Sequence, residues 1–546
     1  MMRRERTPSQ AGKQIWLGAA LFALVVALAA PVIQAWRRHR RPEQGPMTMP
    51  ASTATPAAPP QQTPQPPPRD EVKPHPRLWR EALRIDRSQF WRILVSLVCV
   101  AVTATMGYTY ALDIRVEGWQ FWVWAACVAV VVFVLLPSDR PRLRLDKGLL
   151  WLVPLTLAAL LLRVTSLETI PGGLHVDEYG VASFALQHLF PASGGTHNPF
   201  ITGPASHPAL YHYLIRISLD VFGITITGLR ISSALAGTVA VLATYAAVSL
   251  WHDRRTALFA AAIMTAYHVH VHWSRLGLNN IWDTVWVPAM LAAFLWGWRR
   301  GWSGGAVLAG LALGLSQYFY PGGRIGILLL AFAIFSLWQQ GADRRQLLVH
   351  TGKMLVTAAC VAAPLAMFAL RDPANFLLRM RQVFAWQPEA IKILTHGQPD
   401  LPAFFWHQLT HSLGAFTTYP DNAGFYAPGV PLLIGLAVPL FVIGIAWSIW
   451  SRRSRSMPVL WIVLTAFLGG FLLADPPSSS HYVVAIPAIC WLVAMPLSWL
   501  VENGRRPWAV IALLAIVAMD LVFYFAVYVP GKPRDLILPF PPLPHS

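Results

Sequence analysis

The sequence is poor in charge. Only 12% of its 546 residues are Asp, Glu, Lys or Arg, and 55% are hydrophobic. A soluble protein of this length carries about a quarter charged residues, so a soluble globular chain is excluded. Cysteine is scarce too. Cys99, Cys127, Cys360 and Cys490 lie far apart inside apolar runs, without metal-ligand spacing. This argues against a disulfide framework and a zinc site. Acidic residues number 25 against 43 basic ones, a formal net charge of +18. Such an excess can signal nucleic-acid binding. Here the Lys and Arg stand in short clusters between apolar runs, a pattern that orients membrane spans, and no nucleic-acid partner is expected. No internal repeat is visible.

What remains is a series of apolar runs of spanning length. A basic start precedes Ile15–Ile33, and Arg37, Arg38, Arg40 and Arg41 follow it. This reads as an uncleaved anchor over residues 1–41. Residues 42–76 are rich in Pro, Gln, Ala and Thr, and read as a disordered linker. Residues 77–147 hold a basic segment and two accessory spans, near Ile93–Leu112 and Gly118–Pro137. About 11 core spans follow within residues 148–530, then a short tail, 531–546, placed outside the cell. The fold class is therefore all-α and polytopic, with two or three spans ahead of the core.

Charge then orders the loops. The clusters at Arg140–Lys147, Arg254–Arg255, Arg299–Arg300, Arg344–Lys353, Arg452–Arg455 and Arg505–Arg506 fall on one side, the cytoplasmic one. This holds if Pro208–Phe222 lies along the membrane as an interfacial helix. The opposite face then collects the loop after Leu167, the turns at Trp273–Trp282 and Tyr320–Arg324, the long loop Arg371–Val430, and Asp475–His481.

The first of these loops carries the sharpest feature, the adjacent carboxylates Asp177 and Glu178. They follow the turn Pro171-Gly172-Gly173 and stand among His175, Tyr179, His207, Tyr211 and His212. Such a pair can act as a general base, hold a divalent cation, or face water. His268, His270 and His272 alternate, which would put successive rings about 200° apart on a helix, too far round to share a metal. Asp520, an acid inside the last span, is a functional suspect by position.

Read in order, LLRVTSLETIPGGLHVDEYG, SHPALYHYLIRISLDVFGIT, GLRISSALAGTVAVLATYAAVSLWHDRRTALFAAAIMTAYHVHVHWSRLGLNN, GLALGLSQYFYPGGRIG, DPANFLLRMR and SSSHYVVAIPA resemble the protein O-mannosyltransferase and aminoarabinose-transferase group of membrane glycosyltransferases. The resemblance runs from about Gly148 to Val529. It implies the C-type glycosyltransferase fold, a polyprenyl-phosphate sugar donor, and transfer at the extracytoplasmic face of a bacterial plasma membrane. By carry-over, Asp177 and Glu178 are the catalytic pair, Asp177 matching the family's catalytic acid and Glu178 its neighbour. His175, His207, Tyr211, Arg275, Tyr318, Arg324 and His481 are the candidates for binding substrate. Of these, Arg324 follows a Tyr-Pro-Gly-Gly turn and is expected to meet the donor phosphate.

No cofactor is implied, and a divalent cation is left open. Two departures, the N-terminal extension and the expected lack of a soluble C-terminal domain, leave the acceptor open among lipid, glycan and protein. The rival class is a transporter or flippase, which should carry mid-membrane charges on broken helices in related halves.

Overall fold

A computed structural model describes residues 87–139, 141, 147–191, 194–395, 400–450, 456–531 and 540–541. The expected anchor, the Pro-rich linker, most of the basic loop before Gly148, the cluster at 452–455 and nearly all of the tail lie outside these. Within them the chain is helical, with one two-stranded ribbon. Six helices are long and apolar enough to cross a membrane, among them Arg87–Thr109, Ile226–Trp251 and Arg344–Arg371. Shorter apolar helices, such as Trp119–Leu135 and Gly304–Ser316, accompany them. A helix stands at each expected core span.

Few residues break the apolar pattern, and those that do have local tasks. Asp253 accepts from the backbone N–H groups of Arg255 and Thr256, and Asp343 from that of Gln346. Asp372 and Asp400 cap further helices in the same way. Each meets backbone donors that a helix start leaves unpaired. Small residues serve packing. A Cβ on Gly107 would stand 2.4 Å from the Cα of Pro364, and one on Gly444 would stand 2.2 Å from the carbonyl of Leu492. Without a strong hydrophobic drive between helices in lipid, such close backbone approach supplies the contact.

The span expected at Ala257–Trp273 is in fact two helices, Arg254–Ala266 and His268–Trp273, broken at Tyr267. A buried break inside an expected span must meet its freed backbone groups with protein. Asp520 does so, accepting from the His268 N–H at 3.2 Å. That buried acid therefore has a structural task. The three histidines after the break diverge. His268 meets the Tyr426 hydroxyl, His270 meets Arg163, and His272 meets the Phe425 carbonyl.

The two ends of the bundle differ. At one, Lys353 donates to the Leu135 carbonyl and Ser303, and Arg255 faces Glu502. At the other, every loop expected on the opposite face comes together. Arg115–Val116 pairs with Thr196–His197, Phe384 bridges Leu473, Asn280 donates to the Ser480 carbonyl, and Asp421 accepts from the Ser479 N–H. The segment expected to lie along the membrane forms the helix Leu210–Phe222, tied internally by Arg216 and Asp220 at 3.0 Å.

Candidate functional site

The loop after Leu167 has little regular structure, so its carbonyls need partners. Two arginines supply them. Arg230, on Ile226–Trp251, donates to the carbonyls of Leu167, Pro171 and Gly173. Arg275 donates to those of Leu162, Thr165 and Ile170, closing the end of the helix Leu152–Val164. Arg275 was expected to bind substrate. Its donors are instead spent on backbone, and its side chain is buried.

The same knot fixes the acidic pair. Glu178 makes a two-pronged ion pair with Arg230, both bonds 2.8 Å, and neither side chain touches solvent. Its oxygens also accept from the backbone of Gly277 and of His175. Burial alone would push this carboxyl up. The Arg230 charge, the Arg230 bonds and the two backbone donors outweigh it and hold the group below its usual value. With both oxygens engaged, Glu178 holds the site together and is not free to react, which revises its expected part.

Its neighbour is placed oppositely. Val176–Ser183 begins with a capping box. His175 Nδ1 accepts from the Asp177 N–H while Glu178 reaches back to the His175 N–H. Asp177 thereby sits in the first turn, exposed, and its carboxylate makes no hydrogen bond or ion pair among the described residues. The helix is pinned from below and presents one open carboxylate above.

A second group forms where the turn Tyr320–Arg324, the helix Leu378–Val383 and the segment Ser478–Tyr482 meet the stretch before Leu210. Asp283 is fully buried beneath the Pro-Gly-Gly turn. A Cβ on Gly322 would stand 2.4 Å from its Oδ2, and one on Gly323 would stand 2.9 Å from its Oδ1. Only glycines let the turn close over this carboxylate, and Arg324 follows directly. The Arg324 guanidinium lies 4.9 Å over the Phe376 ring. Neither Arg324 nor Arg379 makes a hydrogen bond or ion pair among the described residues. Both act on His207, whose ring faces Tyr320 and whose Nδ1 is buried without a partner. Burial first, then Arg379 and Arg324, push this imidazole down to about 4, so it is neutral at pH 7. Arg379 also acts on His481.

The structure thus gathers His207, Arg324 and His481 and adds Arg379. Two other expected binding residues are core instead. Tyr318 is fully buried and donates to the Val361 carbonyl. Tyr211 is buried against His212 and Phe319. A chain of contacts joins the two groups. The His175 ring packs on Phe425 at 4.3 Å, Phe425 packs on Trp273, and Trp273 donates to Ser479, two residues before His481. Arg230, Asp283 and Phe425 were missed in the sequence. Arg230 carried a usable signal, an ionisable residue near the start of an apolar run.

Comparison with known proteins bears on this arrangement. Residues 206–368 match the family model described as dolichyl-phosphate-mannose-protein mannosyltransferase. An undecaprenyl phosphate-alpha-4-amino-4-deoxy-L-arabinose arabinosyl transferase of Pseudomonas aeruginosa is 32% identical over 279 residues, 48% of this chain and 44% of that protein. A Pseudomonas fluorescens protein of the same description is 27% identical over 267 residues, 47% of this chain and 44% of that one. The chain thus spans under half the length of these relatives. Among solved structures, ArnT from Cupriavidus metallidurans bound to undecaprenyl phosphate superposes with a TM-score of 0.42 at 19% identity, over 70% of this chain and 74% of that one. The Archaeoglobus fulgidus oligosaccharyltransferase gives 0.43 at 18%, over 70% and 56%. These structural likenesses are distant. The sequence matches carry the likeness: over about half its length or less, this polytopic helical chain is similar to proteins of the mannosyltransferase and aminoarabinose-transferase group, the group its ordered motifs resemble.

Proposed function

We propose that this chain is an integral membrane glycosyltransferase that moves a sugar from a polyprenyl-phosphate donor to a lipid, glycan or protein acceptor. In this reading it has the C-type fold and works in a bacterial plasma membrane, with its site on the extracytoplasmic face. The observation that carries the reading is an exposed carboxylate on a rigidly pinned helix, joined by packed residues to a group of guanidinium ions, none of which makes a hydrogen bond or ion pair among the described residues. A transferase of this kind needs both, for different moments of one reaction.

Asp177 accepts the proton of the acceptor hydroxyl as that oxygen bonds to the anomeric carbon. The bond from that carbon to the phosphate oxygen breaks, and its electron pair leaves with the polyprenyl phosphate. The phosphate gains one negative charge, which Arg324 and Arg379 meet with fixed positive charge. His207 contributes as a neutral hydrogen-bonding group, and His481 stands beside Arg379. Glu178, Arg230 and Arg275 position the loop and touch no reacting atom.

The sidedness rests on the segregated basic clusters. Gly195→Cys should label from outside with an impermeant thiol reagent, and Gly504→Cys should not; the reverse would place the site in the cytoplasm. The activity is tested with the full chain in liposomes, supplying polyprenyl-phosphate pentose or hexose and following release of polyprenyl phosphate, with and without chelator. Sugar transfer supports the reading. Movement of intact donor across the bilayer without transfer would make the chain a flippase.

A further inference from the structure

Helix caps are ordinarily Ser, Thr, Asp or Asn, whose oxygens accept a hydrogen bond at any ordinary pH. Asp253, Asp343, Asp372 and Asp400 cap helices here in that way. The helix that carries Asp177 is capped by an imidazole. His175 has extended backbone, and its Nδ1 lies 3.1 Å from the Asp177 N–H. A backbone N–H can only donate, so Nδ1 must accept, and a ring nitrogen accepts only while it carries no proton. The contact therefore fixes the neutral tautomer, with its hydrogen on Nε2.

A proton on Nδ1 turns this acceptor into a second donor, facing the Asp177 N–H, and the bond is lost. It also sets a cation at the positive end of the helix. Half of the capping box survives, because Glu178 still accepts from the His175 N–H and stays locked to Arg230. The helix thus loosens at its first turn, where Asp177 sits, without coming away. The His175 ring is also the first member of the packed series that joins the two groups, through Phe425 at 4.3 Å. Charged and titratable groups surround it from several elements. Asp177, on the same helix, favours the protonated ring, and the Glu178 charge is balanced by Arg230, which also reaches the Gly173 carbonyl. The loop of Phe425 brings Asp421 and Tyr426, and His272 meets the Phe425 carbonyl. Of these, Asp177 alone is exposed.

We infer that His175 is a positioning residue for the proposed reaction: its neutral imidazole holds the first turn of the Asp177 helix, and a proton taken up at Nδ1 releases that turn and lowers turnover. In this role His175 acts through Asp177 and does not touch substrate. The role rests on Asp177 as the proposed reacting carboxylate, whereas the titrating cap stands without it.

The test reads the cap and the reaction separately, on the full chain. Free imidazole changes charge near about pH 6.5, far above a carboxylate at about 3.9. Hydrogen exchange of residues 175–183, followed by mass spectrometry in detergent and corrected for the intrinsic rate, should therefore differ between about pH 7.5 and about pH 5.5. Opening should be about fivefold greater at the lower pH, the scale of one lost cap. His175→Asn places Oδ1 as many bonds from Cα as Nδ1 and cannot titrate, so it should open equally at both. Turnover of polyprenyl-phosphate pentose or hexose should fall over the same range in the wild type, through kcat and not KM. In His175→Asn that acid limb should vanish, which misfolding cannot imitate, and His175→Ala should be slow at both pH values. Exchange that ignores pH, or an equal acid response in His175→Asn, would overturn the inference. So would a rise in KM with kcat held in both variants, which would make His175 a substrate ligand. A titrating cap without a matching fall in turnover would remove the positioning role. An intact exchange response in a chain that transfers no sugar would refute the proposed reaction and sustain the cap.

Discussion

Two sets of cations stand at the polar end of the bundle. Arg230 and Arg275 are enclosed, and their donors are met by Glu178 and by backbone carbonyls. Arg324 and Arg379 are half-buried and meet no acceptor among the described residues. All four are arginines in polar loops or at helix ends, alike by composition. The acids divide in the same way, Glu178 closed and Asp177 open. Satisfaction of hydrogen-bonding capacity, not residue type or proximity in sequence, separates the groups that build the site from those left to bind or react. A closed knot under an open group is what preorganisation requires, because the reactive carboxylate inherits the rigidity of its neighbour.

Mutation can break this contrast. The largest effect should come from the closed set. Glu178→Gln strands a buried guanidinium, which typically costs about 3–5 kcal/mol, and thermal unfolding in detergent should show it. Because the Glu178 carboxyl is held below its usual value, its contribution is present above about pH 4.3, and it is lost as pH falls through the lowered value. Arg275→Lys should also lower the melting temperature, since an ammonium cannot span three carbonyls. If it melted normally and lost donor affinity instead, Arg275 would belong with the open set.

The open set should behave in the reverse manner. Arg324→Ala should leave melting unchanged while weakening donor affinity roughly ten- to a hundredfold, the scale of a charge-assisted hydrogen bond at about 1.5–3 kcal/mol. Arg324→Lys should fall between, because only guanidinium binds phosphate oxygens two at a time. Equal donor affinity of Arg324→Lys and wild type would return Arg324 to a lipid-facing role.

A smaller effect sharpens the comparison from the acidic side. Asp421 accepts from the backbone of Ala423 and Ser479 through Oδ1, while Oδ2 is buried and unmet. Burial pushes its carboxyl up to about 7, only partly offset by Ser479 and Ala423. A raised value means stability is full below the ordinary carboxylate range and falls as pH rises toward 7. From pH 6 to pH 7 the loss should be about 1 kcal/mol, and Asp421→Asn should abolish it. A melting curve with the same pH slope in both proteins would remove Asp421 from this account.

Much of the fold was legible because apolar length and basic clusters are strong, local signals. Helices stand where hydropathy put them, and the loops expected on one face do meet there. The break at Tyr267 was not legible, since its compensation, Asp520, lies 252 residues away. In the site, the sequence singled out Asp177 and Glu178, but adjacent carboxylates look alike in sequence. Arg230 comes from a different span and decides which of the two is closed. The burial of Tyr318 and Tyr211 was hidden for a related reason, because an aromatic at a span end faces core or solvent according to helix rotation. Asp283 was hidden behind the glycines that cover it.

The account rests most heavily on Asp177 as the open, reacting carboxylate. The most direct test measures turnover of polyprenyl-phosphate sugar by Asp177→Asn in liposomes, alongside its melting temperature. Removing the basicity while keeping the shape should cost at least about a hundredfold in turnover, the scale of general-base catalysis, with melting nearly unchanged because the carboxylate makes no hydrogen bond or ion pair among the described residues. Near-normal turnover would contradict the account and move the chemistry elsewhere.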